Sequence, residues 1–439
     1  MAYIALTLLI LVHAVSWVLD GNRRIQHSPV KMTTILSGLN VIPHYIICTI
    51  DPENSFLYAT LGTNYVNYFI QFGILYSVAF LLHTFFLINA SKLAIPLASK
   101  LPLKDNYPYG KVVLFCFVSY VSIVLLYFSS MGGLFNYLGN FIQRDELRAG
   151  LGIFDMFRFP FAYLTIMFLV ASFKDKPNSS LKFLLLIIIS MALIEALFGG
   201  RRNPIQFLIF GYLGFLIVDR KQRIRPMSNI IIASLIVTIF VGLYYFRSLI
   251  TLQAASPYAE SAEIPVLTYL LNLSYNDIYI FVMSHFSSSN FWFGSIYADI
   301  VLKIASYISG SEGPSPDEGL YIYNLYLGFS VEPPMQLDQM AQNSWPPRTF
   351  GNGYLNFGIL GVLIFFSIKG ALVGLAYKVM TVSRNNPIFM YIYFYMIFSF
   401  QLSNLKIFEF ITMVIALTII QIPLRLLSHR KARPLVRRL

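Results

Sequence analysis

Gly199-Gly200-Arg201-Arg202-Asn203-Pro204 sets two arginines in a tight turn between apolar runs 183–198 and 205–218. Arg247 closes another apolar run, in Tyr244-Tyr245-Phe246-Arg247, and Arg348 precedes a fourth, in Trp345-Pro346-Pro347-Arg348. A guanidinium fork matches phosphate oxygens two at a time, and charge-assisted bonds of that kind are strong. A cluster of such groups suits a diphosphate. The plainer alternative is that each arginine snorkels to lipid headgroups. Arg158 is a fifth cation of this kind, but Asp155 three residues earlier offers it a local partner.

Candidate bases are few. His285, in Met283-Ser284-His285-Phe286, titrates near neutrality when unperturbed and is the one histidine of the long polar segment 247–351. Asp277, eight residues earlier, falls two helical turns away on a similar face. Glu318 and Asp317 border a Gly/Pro-rich stretch and read as solvated. Glu195 lies inside an apolar run, where an ionisable group is a functional candidate or an arginine's partner. Asn352 and Asn356, four apart in Gly351-Asn352-Gly353-Tyr354-Leu355-Asn356-Phe357-Gly358-Ile359-Leu360-Gly361, share a helix face, and their amides suit sugar hydroxyls. The glycines there allow close helix packing. His13, His44 and His83 sit in apolar runs as packing residues. Lys369 reads as snorkelling inward, and Lys406 with Glu409 as a local pair.

These groups must be positioned by membrane helices. The chain has 439 residues, of which 57% are hydrophobic and 12% charged, with mean hydropathy +0.65. A soluble domain has roughly twice that charged fraction. A spanning helix needs ~20 apolar residues. On that scale eleven spans are predicted, at about 2–19, 33–50, 65–90, 111–130, 153–173, 181–198, 203–219, 228–246, 352–377, 387–405 and 408–428. The expectation is an all-α polytopic protein, one integral domain over 1–439, with no cleavable signal peptide.

The net charge is +12, and its distribution sets the orientation. Segments 20–32, 91–111, 174–182, 219–226, 378–386 and the tail from 425 carry 22 of the 32 Lys and Arg residues. All fall on one side if eleven spans alternate, so that side is cytoplasmic and the carboxyl terminus lies there. The four arginines above then face outward. Segment 247–351 becomes a large external loop, with helices at 264–283 and 291–308 lying at or dipping into the interface. Cys48 and Cys116 read as buried thiols, and no metal-ligand spacing occurs.

No phosphate-binding Gly-rich loop, zinc-protease helix, nucleophile elbow or dinucleotide fingerprint is present. The cytoplasmic loops are too short to hold a nucleotide-sugar domain. A sugar donor for such a chain is therefore lipid-linked.

In three ordered elements the chain resembles the Wzy-type oligosaccharide repeat-unit polymerases, the O-antigen polymerase family. They are the turn Gly199 to Arg202, Phe293-Gly294-Ser295 followed by a helix, and the Tyr354 to Gly361 opening of a late span. The family's Pro-Arg pair after the Phe-Gly-Ser helix is missing from Tyr307-Ile308-Ser309-Gly310, so that its role either passes to Pro347-Arg348 or is absent. The resemblance implies a metal-independent membrane glycosyltransferase of the GT-C class, without cofactor, in the bacterial inner membrane. Its substrates would be undecaprenyl-diphosphate-linked glycans, joined at the periplasmic face. A chain-length-regulating co-polymerase would be a partner. On this expectation Arg201, Arg202 and Arg247 bind diphosphate, Arg348 assists, and His285 or Asp277 takes the proton. An O-antigen ligase shares the arginine logic. A flippase or transporter of lipid-linked glycans would instead show hydropathy repeats and helices broken at the midplane, and no repeat is evident.

Overall fold

The computed structural model describes residues 1–21, 28–93, 108–139, 151–172, 186–195, 202–218, 234, 238, 274–309, 313–336, 339–341, 343–383 and 385–429. Among these the secondary structure is helical, with no strand. Seven helices are long and apolar enough to cross a membrane. They are α1 (Ala2–Leu19), α2 (Pro29–Ile50), α3 (Thr63–Lys92), α4 (Tyr109–Ser130), α5 (Gly152–Ser172), α11 (Arg348–Val382) and α13 (Asn404–His429). Shorter apolar helices are α6 (Leu186–Glu195), α7 (Arg202–Val218) and α12 (Pro387–Phe398). The long polar segment contributes α8 (Asn276–His285), α9 (Ala298–Ser309) and α10 (Glu318–Tyr326). The predicted span 228–246 lies outside the described residues, apart from two helical positions.

The chain gathers into two compact units. The first comprises Met1–Ala94, Ala255–Lys378 and Tyr395–Phe410; the second comprises Ile95–Ala254, Val379–Phe394 and Ile411–Leu439. In the second, α5 packs on α4 and α7. In the first, α1 packs on α2 and α3, and α8 packs on α3. The core there follows from spacing on α3. Tyr65, Phe69, Phe72, Tyr76, Phe80 and His83 recur every three or four residues, which puts them on one face. All are buried. Phe350 and Phe366 of α11 close on Phe72 and Tyr76 at ring separations of 5.1 and 5.4 Å. Gly370 and Gly374 bring α11 against the backbone of His83 and Leu87, where no Cβ would fit.

Sequence boundaries hold well where apolar runs are uniform, as in α1. α2 starts earlier than predicted. Ser28 accepts a bond from the Lys31 N–H at 2.9 Å and Pro29 fills the first turn, a strong start signal.

α11 departs from a single span. Phe357 (φ −142°) and Gly358 (φ +61°, ψ −143°) break the helix. Only glycine adopts that second conformation at little cost. The arms 348–356 and 359–382 then fold back on each other. Gly353 meets the backbone of Gly361, and the Phe350 and Phe366 rings stand 6.4 Å apart. Pairs eight and sixteen residues apart, both centred on the break, define an antiparallel hairpin. The close packing expected of these glycines is therefore largely that of the hairpin on itself.

A Cβ on Gly361 would stand 2.0 Å from the Gly353 carbonyl oxygen. Gly361→Ala is expected to destabilise the protein by about 1–3 kcal/mol, because backbone cannot move aside. Gly110→Ala, which meets nothing within 4 Å, is the matched control. Thermal unfolding in detergent checks both; equal midpoints would remove the hairpin contact as a stabilising feature.

A cationic candidate site beside the α11 hairpin

The fold-back decides where Arg348 sits. Expected at the outer end of a span, it lies instead at the base of the short arm, level with the middle of the long one. Lys369 stands eleven residues beyond the break. At 1.5 Å per residue that is about 16 Å, roughly half the hydrocarbon thickness of a bilayer. The charges of Arg348 and Lys369 act on one another.

Aromatic groups hold Arg348. Its guanidinium carbon lies 3.5 Å from the Tyr275 ring centroid, and the phenols of Tyr76 and Tyr279 are its electrostatic neighbours. Lys369 does not snorkel away: its Nζ donates to Gln401 Oε1 at 2.7 Å. Thr349 Oγ1 donates to the same oxygen at 2.8 Å. Among the described residues neither cation has a carboxylate partner.

Gln401 belongs to an irregular stretch. The predicted span 387–405 is helical only to Phe398, and α13 begins at Asn404. Irregular backbone at membrane depth must have its polar groups satisfied by protein. Thr349 Oγ1 accepts from the Leu402 N–H at 3.1 Å, and Asn352 Nδ2 donates to the Leu402 carbonyl at 2.7 Å. Glu318 Oε2 accepts from the Leu405 N–H at 3.1 Å, and Asn404 Nδ2 donates to the Ile296 carbonyl.

That use relocates several sequence-predicted site residues. Asn352 and Asn356 do share a face, but both are fully buried. Asn352 also donates to Tyr297 Oη, while Asn356 accepts from the Gly294 N–H at 2.9 Å and donates to Asn352. Their amides tie the hairpin to the Phe293-Gly294-Ser295 turn. Phe293 and Gly294 both have positive φ there, 47° and 86°.

Glu318 was expected in solvent and is 1% exposed. It opens α10, with Asp317 as the cap. Burial, and then the neighbouring Asp317 carboxylate, push its pKa up to about 8. A folded pKa above the unfolded one gives a stabilising contribution that is full below about pH 4.5. It is lost as pH rises through about 8. Glu318→Gln keeps the acceptor without the charge. The stability gap between wild type and this variant is expected to widen by a few kcal/mol, in favour of the variant, between pH 5 and pH 9. Denaturant unfolding at both pH values measures it; a constant gap would rule out Glu318 as the titrating group.

Asp277 and His285 share α8 but not an environment. His285 is exposed. Its ring lies 5.6 and 5.2 Å from those of Phe281 and Phe286, and desolvation holds its pKa below the usual value. Asp277 is buried in a polar network. Its Oδ1 accepts from Ser55 at 2.9 Å and from Tyr65 at 3.2 Å, and His44 Nε2 stands 3.2 Å from Oδ2. His44, read as a packing residue, is thus an ionic partner. Its lone place in an apolar run concealed this, and only its contact across 233 positions reveals it.

Arg201 and Arg247 lie outside the described residues, as does the side chain of Arg202. In the second unit Arg158 bonds Asp155 at 2.7 Å as expected, and its Nε lies 3.6 Å from Glu195. Glu195 also accepts from Tyr120 at 3.1 Å, so that arginine is held by acids. Lys406 pairs with Glu409 at 2.6 Å.

The arrangement beside α11 is rich in donors and poor in acceptors, which suits an anion. Compared with protein-family models, curated proteins and solved structures, the chain matches none of them.

Proposed function

We propose that this protein polymerises undecaprenyl-diphosphate-linked oligosaccharides. The growing glycan passes from its carrier to the terminal sugar of a new repeat unit, at the periplasmic face of a bacterial inner membrane. One observation carries the reading: Arg348 and Lys369 lie together beside a broken helix, with no described carboxylate to neutralise them. An intramembrane ionisable group is a functional candidate by default. The Gly199 to Arg202 turn, the Phe293-Gly294-Ser295 turn and the Tyr354 to Gly361 stretch add the ordered resemblance to the O-antigen polymerases.

In this mechanism the leaving group is the carrier diphosphate. Negative charge grows on its bridging oxygen as the anomeric bond breaks. Fixed cations aimed at that oxygen stabilise the transition state without proton transfer. Arg348 assists in binding the diphosphate, and the resemblance gives the main binding role to Arg201, Arg202 and Arg247, whose side chains lie outside the described residues. The acceptor hydroxyl gives its proton to His285, the candidate base left accessible and neutral at pH 7. Asp277, engaged by His44, Ser55 and Tyr65, positions α8 and does not act as base. Asn352, Asn356 and Glu318 position the hairpin. A chain-length-regulating co-polymerase acts with the enzyme.

Supplying the purified full chain with only lipid-linked repeat units tests the reading. A polymerase yields a ladder of products spaced by one unit. A ligase yields none without its core acceptor. The breaks at 357–358 and 399–403 favour a second reading, transport of lipid-linked glycans, since transporters place substrate at interrupted helices. Movement of the labelled unit across a vesicle membrane without ladder formation would establish that reading instead.

A further inference from the structure

Lys369 has no part in the resemblance and was not among the residues expected to bind. Its surroundings nevertheless distinguish it from a structural lysine. An ammonium has three donors, and one goes to Gln401 Oε1. That oxygen also takes the Thr349 hydroxyl, so both of its lone pairs are occupied. The Gln401 amide nitrogen, with two further donors, has no partner among the described residues. A carboxylate at position 401 would neutralise the lysine where it stands; the neutral amide orients it and leaves its charge intact.

Arg348 complements this. Its planar group is held face-on by Tyr275 and hydrogen-bonded by the Tyr279 phenol, which leaves its remaining edge N–H groups for an in-plane acceptor. Its own φ is +53°, a conformation costly for any residue with a Cβ. Thr349, next in the chain, shares the Gln401 oxygen with Lys369, which ties the arginine's arm to the lysine's arm. The donors thus converge from α11 and the 399–403 stretch, with no acid among the described residues to receive them.

We infer that Lys369, oriented by Gln401 and seated beside Arg348, is a binding residue for a lipid-borne phosphate, the diphosphate of a polyprenyl carrier. This rests on the carrier-lipid reading given above. A polyprenyl diphosphate and an ordinary anionic phospholipid present the same oxygen chemistry. Lys369 lies inside an apolar helix eleven residues from its break, which favours a headgroup carried by a long apolar tail over bulk phospholipid, whose phosphate stays at the surface.

The test measures binding of undecaprenyl diphosphate to the full chain in zwitterionic nanodiscs, with phosphatidylglycerol as competitor. Loss of one charge-assisted bond should weaken binding roughly ten- to a hundredfold. Lys369→Gln is expected to show that loss, and Lys369→Arg to stay within about threefold of wild type. Gln401→Glu removes no cation but supplies the missing carboxylate; it should fold at least as well and lose the same affinity. Wild-type affinity in both Lys369→Gln and Gln401→Glu overturns the proposal. Equal competition by phosphatidylglycerol overturns the assignment to the carrier. Lys369-dependent binding by a protein that makes no ladder supports the site and defeats the polymerase reading, so the two failures are distinguishable.

Discussion

Replacing Arg348 by glycine is expected to abolish the product ladder while leaving the fold in place. Removing one preorganised donor from a developing oxyanion typically lowers turnover by about 10²–10³-fold. Arg348 has φ +53°, where a side chain costs about 1–2 kcal/mol and glycine almost nothing. The contact with Tyr275 at 3.5 Å is worth about 0.5–2 kcal/mol and would be lost. The hydrogen bond to the Tyr279 phenol is lost as well, and relief of the backbone cost offsets part of these losses, so the fall in stability should be modest beside the collapse of activity. Arg348→Gln retains the backbone cost and should be both inactive and slightly less stable. The measurement is ladder formation beside thermal unfolding for both variants. Activity within a few-fold of wild type in Arg348→Gly would remove this arginine from the site. A large fall in stability would instead make it a structural residue.

Asp277→Ala should have the largest effect on stability. One carboxylate joins four segments: α8 itself, α2 through His44, the connection after α2 through Ser55, and α3 through Tyr65. Truncation leaves the imidazole and two hydroxyls without that acceptor in a site closed to water. Breaking a buried pair by removing one partner costs on the order of 3–5 kcal/mol, and stranded donors add to it. Asp277→Asn retains an acceptor for Ser55 and Tyr65 and is expected to lose less. Because α8 also carries Tyr279, which lies beside Arg348, the alanine variant should weaken anion binding indirectly. Denaturant unfolding of the two variants decides the matter. A cost below about 1 kcal/mol for alanine would show that the network does not hold α8.

The contrast between these two aspects of the molecule is physical. Asp277 satisfies every test for a buried structural ion: low exposure, short bonds and partners on several elements. Arg348 and Lys369 differ from it in the kind of partner, since those described are aromatic rings, a phenol and a neutral amide. Charge left uncompensated at depth is expensive, and a protein retains it where a ligand of opposite sign completes the site.

Residue order alone determined the helical class and the apolar runs long enough to cross a membrane, because twenty apolar residues can satisfy their backbone in lipid only as a helix. It also located the glycine-lined opening of α11 and the Arg158–Asp155 pair, both local in sequence. Hydropathy could not show that α11 doubles back, because a broken hairpin and a straight span have the same apolar content. It counted 387–405 as one crossing for the same reason, although residues 399–403 are irregular. Lys369 and Arg348 are twenty-one positions apart, and His44 and Asp277 are more than two hundred apart. Proximity of that kind is created when Gly358 reverses the chain and Gly353 seats against Gly361. Tertiary structure alone therefore decided which charges go without a carboxylate among the described residues and which are spent in holding the helices together.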